Sequence, residues 1–132
     1  MSAPRILLLE DDRWLADSYV RSLGDAYTVT VATSNQAALD MIDDGSYDLL
    51  VADVMLEQGL VIDLLHELRS HSDTLRLPVI LCTGLASMIQ PADVAAYGVV
   101  AVLDKSTVTP ASLRVALQRA LAEKGRDADH SD

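Results

Sequence analysis

The sequence predicts an α/β domain, a doubly wound five-stranded parallel sheet with five helices, and three observations carry that prediction. Short, near-continuous apolar runs recur along the 132 residues: ILLL at 6–9, LLVA at 49–52, VILC at 79–82 and VVAVL at 99–103. Runs of this kind, rich in Val, Ile and Leu, are what strands become when both faces of a parallel sheet are covered. Amphipathic helical stripes alternate with them, as βα units do. Turn residues punctuate the boundaries, with Gly24, Gly45 and Gly98 at helix ends and Pro78, Pro91 and Pro110 at element starts. Short right-handed crossovers then favour a single doubly wound sheet.

Taken in order, residues 6–9 form the first strand and Arg13–Leu23 the first helix. Leu15, Tyr19 and Leu23 make its stripe, with Ala16 and Val20 beside it. Asp12 is placed to cap it and Gly24 to stop it. YTVTVA at 27–32 alternates and is β-branched, which marks an edge strand. Thr33-Ser34 caps a helix over 35–43 with Ala38, Met41 and Ile42 inward, ended by Gly45. A buried strand follows at 49–53, then a loop over 54–60. The next helix, 61–70, carries Val61, Leu64, Leu65 and Leu68 at i, i+3, i+4 and i+7. Val79–Thr83 is the fourth strand. Pro91 opens a helix to about Tyr97, and the fifth strand is 99–103. Pro110 opens the last helix, whose stripe is Leu113, Ala116, Leu117, Ala120 and Leu121. Residues 125–132, GRDADHSD, read as a polar, frayed tail.

A chain of this length buries roughly two-thirds of its unfolded surface in one domain. With no Phe and one Trp, the core must be aliphatic. The net charge of −10 and the scatter of two Lys and eight Arg argue against direct nucleic-acid binding. Cys82 is alone, so no internal disulfide can form and a reducing compartment is expected. No apolar stretch approaches the ~18–20 residues that span a bilayer. Acids interrupt the first apolar run, so the N-terminus lacks a signal-peptide pattern. The expectation is a cytoplasmic domain without membrane partners.

Function gathers outside the carboxyl ends of strands in an open α/β sheet, and here those ends carry complementary chemistry. Glu10, Asp11 and Asp12 follow the first run, Asp53 the second, Thr83 the third, and Asp104-Lys105 the last. Asp12 alone is best explained as a cap. Adjacent like charges beside Asp53 repel unless a cation neutralises them, and Mg²⁺ suits one or two carboxylates plus waters. Asp53 could be a turn residue, but a carboxylate there can also attack phosphorus and form an acyl phosphate. Lys105 emerges from a buried strand beside these acids, so pairing is favoured over simple snorkelling. An ammonium so placed can clamp a phosphoryl oxygen. Thr83 is either a plain strand-end hydroxyl or a donor to the same oxygens. His66, His71 and His130 are widely spaced and read as surface residues, and Cys82 reads as a small core residue. Trp14 flanks the acids.

The motifs ILLLEDD, DLLVADVML, PVILCTG and VLDKS, in this order and spacing, resemble those of the receiver domains of two-component response regulators. The resemblance covers about residues 4–124, making 1–124 the receiver domain and 125–132 its polar C-terminal tail. It implies a flavodoxin-like sheet of strand order 2-1-3-4-5. It also implies Asp53 as phosphoacceptor, and Mg²⁺ held by Glu10, Asp11, Asp53 and the backbone carbonyl of Met55. Thr83 and Lys105 would sense and bind the phosphoryl group. The implied phosphodonor is a histidine kinase, a phosphotransfer protein or a small phosphodonor. The domain would not be a turnover enzyme, and its output is expected through contact with a downstream protein or onward phosphotransfer.

Several positions depart from that pattern. Ser106 stands where the family has Pro after a cis peptide; a cis bond before Ser costs about 2.5–4 kcal/mol, so a trans bond and a differently shaped loop are expected. Glu57 replaces the usual Pro, Val61 the usual Gly, and Val102 the aromatic switch residue. The alternative reading is a pseudo-receiver, a binding module that acts without phosphorylation. A phosphatase of the haloacid dehalogenase type wants a second Asp where Met55 stands. A flavodoxin-like flavin protein wants a Ser/Thr/Gly-rich loop after the first strand, and this chain has acids there.

Overall fold

The computed structural model describes residues 3–56 and 59–130. Five strands, β1 (Arg5–Leu9), β2 (Thr28–Ala32), β3 (Leu49–Ala52), β4 (Val79–Thr83) and β5 (Val99–Asp104), form one sheet of order β2-β1-β3-β4-β5. Every neighbouring pair is parallel. The helices are α1 (Arg13–Leu23), α2 (Asn35–Asp44), α3 (Val61–Arg69), α4 (Pro91–Val94) and α5 (Pro110–His130).

The unbroken apolar runs are explained by two cores, one on each face. Leu7, Leu9, Leu50, Ala52, Val79 and Leu81 point to the side covered by α2, α3 and α4. Ile6, Leu8, Leu49, Val51, Ile80 and Cys82 point to the side covered by α1 and α5. Because side chains alternate along a strand, each residue of a central strand meets a helix layer. The edge strand β2 is only partly covered, running from exposed Thr28 through half-buried Val29, Thr30 and Val31 to buried Ala32. Helix stripes match their strands: Val61, Leu64, Leu65 and Leu68 of α3 are all buried, each contributing roughly 1.5–3 kcal/mol of transfer free energy. Asp12 Oδ1 accepts from the Leu15 amide at 3.1 Å and Ser34 Oγ from the Ala37 amide at 3.1 Å, so both expected caps form.

Three segments differ from expectation. Residues 54–60 are not a plain loop: Met55–Leu56 pairs antiparallel with Gly59–Leu60, and the Val61 amide donates to Val54 O at 3.0 Å. Glu57 lies outside the described residues. Pro91 opens only one α-helical turn, after which Ala95–Tyr97 tightens to a 3₁₀ turn ended by Gly98 at φ +83°. Residues 125–130 continue α5, since one glycine costs a helix only about 1 kcal/mol. The register of β5 shifts against β4 between Val79 and Ile80. That bulge leaves Val100 exposed and turns Ala101 and Leu103 to one core, Val102 to the other. Among the described residues no helix is long and apolar enough to cross a membrane.

Candidate functional site

The strand order reverses beside β1, because the chain leaves β1 for β2 on one side and returns as β3 on the other. A crevice opens there, outside the carboxyl ends. The registers bring the strand ends level: Leu9 opposes Ala32 and Ala52, while Thr83 opposes Asp104. Glu10 and Asp53, each one residue further on, therefore emerge side by side. The Glu10 amide donates to Ala32 O at 2.9 Å and the Asp53 amide to Leu9 O at 3.4 Å, which fixes both backbones.

Lys105 crosses from the end of β5 and bridges the acids. Its Nζ lies 2.7 Å from Glu10 Oε1 and 2.6 Å from Asp53 Oδ2. Side-chain exposures of 2% for Glu10, 12% for Asp53 and 22% for Lys105 show the bridge to be largely withdrawn from solvent. Burial pushes the Glu10 carboxyl above its ordinary 4.5, and the hydrogen bond from Lys105 only partly offsets that. Burial alone would lower Lys105, but its hydrogen bonds to Asp53 and Glu10 prevail and hold the ammonium above its ordinary 10.5. One cation thus serves two carboxylates.

The three consecutive acids divide their work. Asp12 caps α1, and its amide donates to Glu10 Oε2 at 3.4 Å. Asp11 stands partly exposed between them. Thr83 ends β4, buried; its Oγ1 accepts from the Leu85 amide at 3.1 Å, a bond that does not consume the hydroxyl proton. The Lys105 amide donates to Thr83 O at 3.1 Å, so hydroxyl and ammonium are borne on adjoining strand ends. Where a prolyl bond was absent from the sequence, Ser106 turns the loop by donating from its amide (2.8 Å) and hydroxyl (2.7 Å) to Asp104 Oδ1. Among the described residues no peptide bond is cis.

For a divalent cation, the donor chemistry fits Mg²⁺. Glu10 and Asp53 already converge on one cation, and both offer hard carboxylate oxygens. Among the described residues, no group of three or more His, Cys, Asp and Glu side chains is drawn together so as to hold a metal ion. An ion that keeps most of its waters does not need such a group.

Some neighbours were not legible in the sequence. Tyr19 OH meets Cys82 Sγ at 3.2 Å beneath the site, and burial raises both the phenol and the thiol, so Cys82 is an unreactive core group. Asn35 Nδ2 donates to Leu60 O at 3.0 Å, tying α2 to the hairpin after Asp53. His66 and His71 lie on α3 and just after it, away from the acids, and Trp14 is 78% exposed beside them.

The chain is thus a doubly wound parallel sheet with an acid pair, a lysine and a hydroxyl gathered at its carboxyl strand ends. The family model for the response regulator receiver domain matches residues 6–118, and the chain belongs to that family. It is similar to response regulator MprA of Mycobacterium avium (strain 104), 38% identical over 85 residues, and to MprA of Mycolicibacterium vanbaalenii, 35% identical. Each match covers 64% of this chain and 36% of the relative, so the chain matches about a third of those proteins' length. Among solved structures, the CheY-like receiver domain protein from Methanospirillum hungatei JF-1 superposes with TM-score 0.84 at 25% identity, covering 96% of this chain and 99% of its own. The non-phosphorylated HemR receiver domain from Leptospira biflexa does so with TM-score 0.78 at 26% identity, covering 89% and 94%.

Proposed function

We propose that this receiver domain accepts a phosphoryl group on Asp53, Mg²⁺-dependently, from a histidine kinase or phosphotransfer protein, and passes the signal by protein–protein contact in the cytoplasm. The observation that carries the reading is the placement of Lys105 Nζ between Asp53 Oδ2 and Glu10 Oε1.

An Asp53 carboxylate oxygen attacks the phosphorus of a phosphohistidine. The new P–O bond makes an acyl phosphate as the P–N bond breaks, and the imidazole nitrogen keeps the electron pair and takes up a proton. Lys105, already hydrogen-bonded to the acceptor carboxylate, stays within reach of the arriving phosphoryl oxygens. Thr83 has a hydroxyl proton to donate to the same oxygens. Glu10, Asp11, Asp53 and the Met55 carbonyl would hold Mg²⁺, which supplies charge neutralisation on the transferring phosphoryl group. The domain is an acceptor consumed in each transfer, not a turnover enzyme.

The test is intact mass after incubation with acetyl phosphate or phosphoramidate and Mg²⁺. Wild type should gain one phosphoryl group; Asp53→Asn, or wild type in excess EDTA, should gain none. An unmodified wild type, or an adduct on Asp53→Asn, would overturn the reading.

A further inference from the structure

Among the described residues, one side chain holds the hairpin after Asp53 from outside. Asn35, at the first position of α2, donates from Nδ2 to Leu60 O at 3.0 Å. Leu60 in turn pairs with Met55, two residues past Asp53, and the Val61 amide bonds Val54 O at 3.0 Å. At the other end of this path, Ala32 O accepts from the Glu10 amide at 2.9 Å. Backbone and hydrogen bonds thus run in a closed ring from Glu10 through β2 and Asn35 to the hairpin and back to Asp53. Among the described residues, Asn35 is the only side-chain link in that ring.

The same carboxamide is unbalanced. Its Oδ1 is buried and finds no hydrogen-bond partner among the described residues. A flipped amide would set Oδ1 against Leu60 O, two acceptors face to face, so the orientation is fixed by the contact itself. A buried acceptor left unpaired destabilises the fold. A small apolar residue would avoid that penalty, and the first helical position does not require Asn. What Asn35 does contribute is the bond that keeps Leu60, and through it Met55, in place.

We propose that Asn35 is a positioning residue for the cation site: its carboxamide closes the hairpin so that the segment carrying Met55 is set before Mg²⁺ arrives. This rests on the Mg²⁺-dependent reading above. Met55 is bound to Asn35 through Leu60 alone, so loss of the carboxamide frees the segment without touching Glu10, Asp53 or Lys105. The effect on the fold and the effect on the cation should then part company. Asn35→Ala deletes an unpaired buried acceptor, so melting temperature without metal should stay level or rise. Mg²⁺ affinity should fall about fivefold, the size of one lost hydrogen bond.

The experiment compares wild type, Asn35→Ala and Ser34→Ala. Ser34 caps the same helix by accepting from the Ala37 amide, so its loss should lower melting temperature and leave Mg²⁺ affinity alone. Amide hydrogen exchange at Val61, read without metal, should accelerate several-fold in Asn35→Ala only. Trp14 fluorescence and melting temperature report Mg²⁺ binding by titration. Unchanged Val61 exchange in Asn35→Ala, unchanged Mg²⁺ affinity, or an equal loss of affinity in Ser34→Ala would each overturn the proposal. If wild type shows no Mg²⁺ response, the acid-site reading fails and takes the positioning role with it, while Val61 exchange still shows whether Asn35 holds the hairpin.

Discussion

Two regions of the parallel sheet, one at the carboxyl ends of its strands and one along its α4–β5 flank, are built in opposite ways. At the ends of β1, β3 and β5, Glu10, Asp53 and Lys105 meet directly, all from positions fixed by parallel register. On the α4–β5 flank, α4 has only four residues, Val102 stands where the family has a ring, and α3 holds the segment by polar clamps. Arg69 donates from Nε to Tyr97 O at 2.8 Å and from Nη2 to Leu77 O at 2.5 Å. His66 Nε2 and Tyr97 OH lie 3.0 Å apart, with the rings edge-on at 4.8 Å. The residues proposed for phosphoryl acceptance are all present at the strand ends, whereas the flank around Val102 is held by side chains of α3. The site depends on strand ends and the flank on side chains reaching from a neighbouring helix, so the two are expected to respond separately to substitution, although both use β5.

The sharpest way to break that comparison is Lys105→Ala. It leaves two carboxylates facing each other in a mostly buried pocket, and removing one partner of a buried pair costs about 3–5 kcal/mol. Lys105 is partly exposed, so about 2–4 kcal/mol of lost unfolding free energy is expected without metal. Mg²⁺ should restore much of it, because a bound cation replaces the missing one and stabilises by about 2.7 kcal/mol at a hundredfold excess over Kd. Urea unfolding with and without Mg²⁺ is the measurement. A loss that Mg²⁺ does not reduce would mean that Lys105 supports the fold and not the acid pair.

Much of this architecture was readable beforehand. Strands announce themselves when both faces are buried, and the acids, Thr83 and Lys105 stand out because charge and hydroxyl interrupt apolar runs. The helix stripes of α1, α3 and α5 follow from spacing alone. What stayed hidden is polar and long-range. Asn35 and Leu60 are far apart in sequence and form no periodic pattern, and the hairpin at 55–60 lacks the Asn-Gly or Asp-Gly turn that would mark it. Pro91 was expected to open a helix to about Tyr97, whereas the α-helical turn ends at Val94 and a 3₁₀ turn follows, beside the contacts that Arg69 and His66 make with Tyr97. Residues 125–132 were expected to be a polar, frayed tail, yet α5 continues to His130.

Gly98→Ala tests the flank in the same terms. The residue has φ +83°, and an added Cβ would sit 1.8 Å from Arg69 Nη2, so the guanidinium would have to leave its carbonyls. Backbone strain and the displaced clamp together predict a loss of about 1–3 kcal/mol. Gly84→Ala, on the loop beside Thr83, meets nothing within 4 Å and should be close to neutral. Unlike Lys105→Ala, Gly98→Ala should not be rescued by Mg²⁺, and its phosphoryl acceptance should match wild type at temperatures where it is folded. Rescue by Mg²⁺, or loss of acceptance by the folded variant, would show that site and flank are one unit.

The smallest effect expected is the most specific to the acid pair. Glu10 has a folded-state pKa raised above 4.5, chiefly by burial. A group raised in this direction contributes stability in full below pH 4.5, and that contribution is lost as pH climbs through the folded value. Above that window the buried carboxylate is charged and costs stability that a neutral amide of the same shape avoids. Glu10→Gln should therefore match wild type at pH 4 and exceed it in melting temperature at pH 7 without metal. Loss of one of the two hydrogen-bonded charges facing Lys105 works against this, but burial is the larger influence on Glu10. Saturating Mg²⁺ at pH 7 should reverse the order, since only the carboxylate gains a cation. Melting curves of both proteins across pH 4–8, in EDTA and in Mg²⁺, decide it. If wild type instead gains on the variant as pH rises in EDTA, Lys105 overcompensates the burial of Glu10, and the acid pair is a stabilising structural bridge, not a charge held in reserve for a metal.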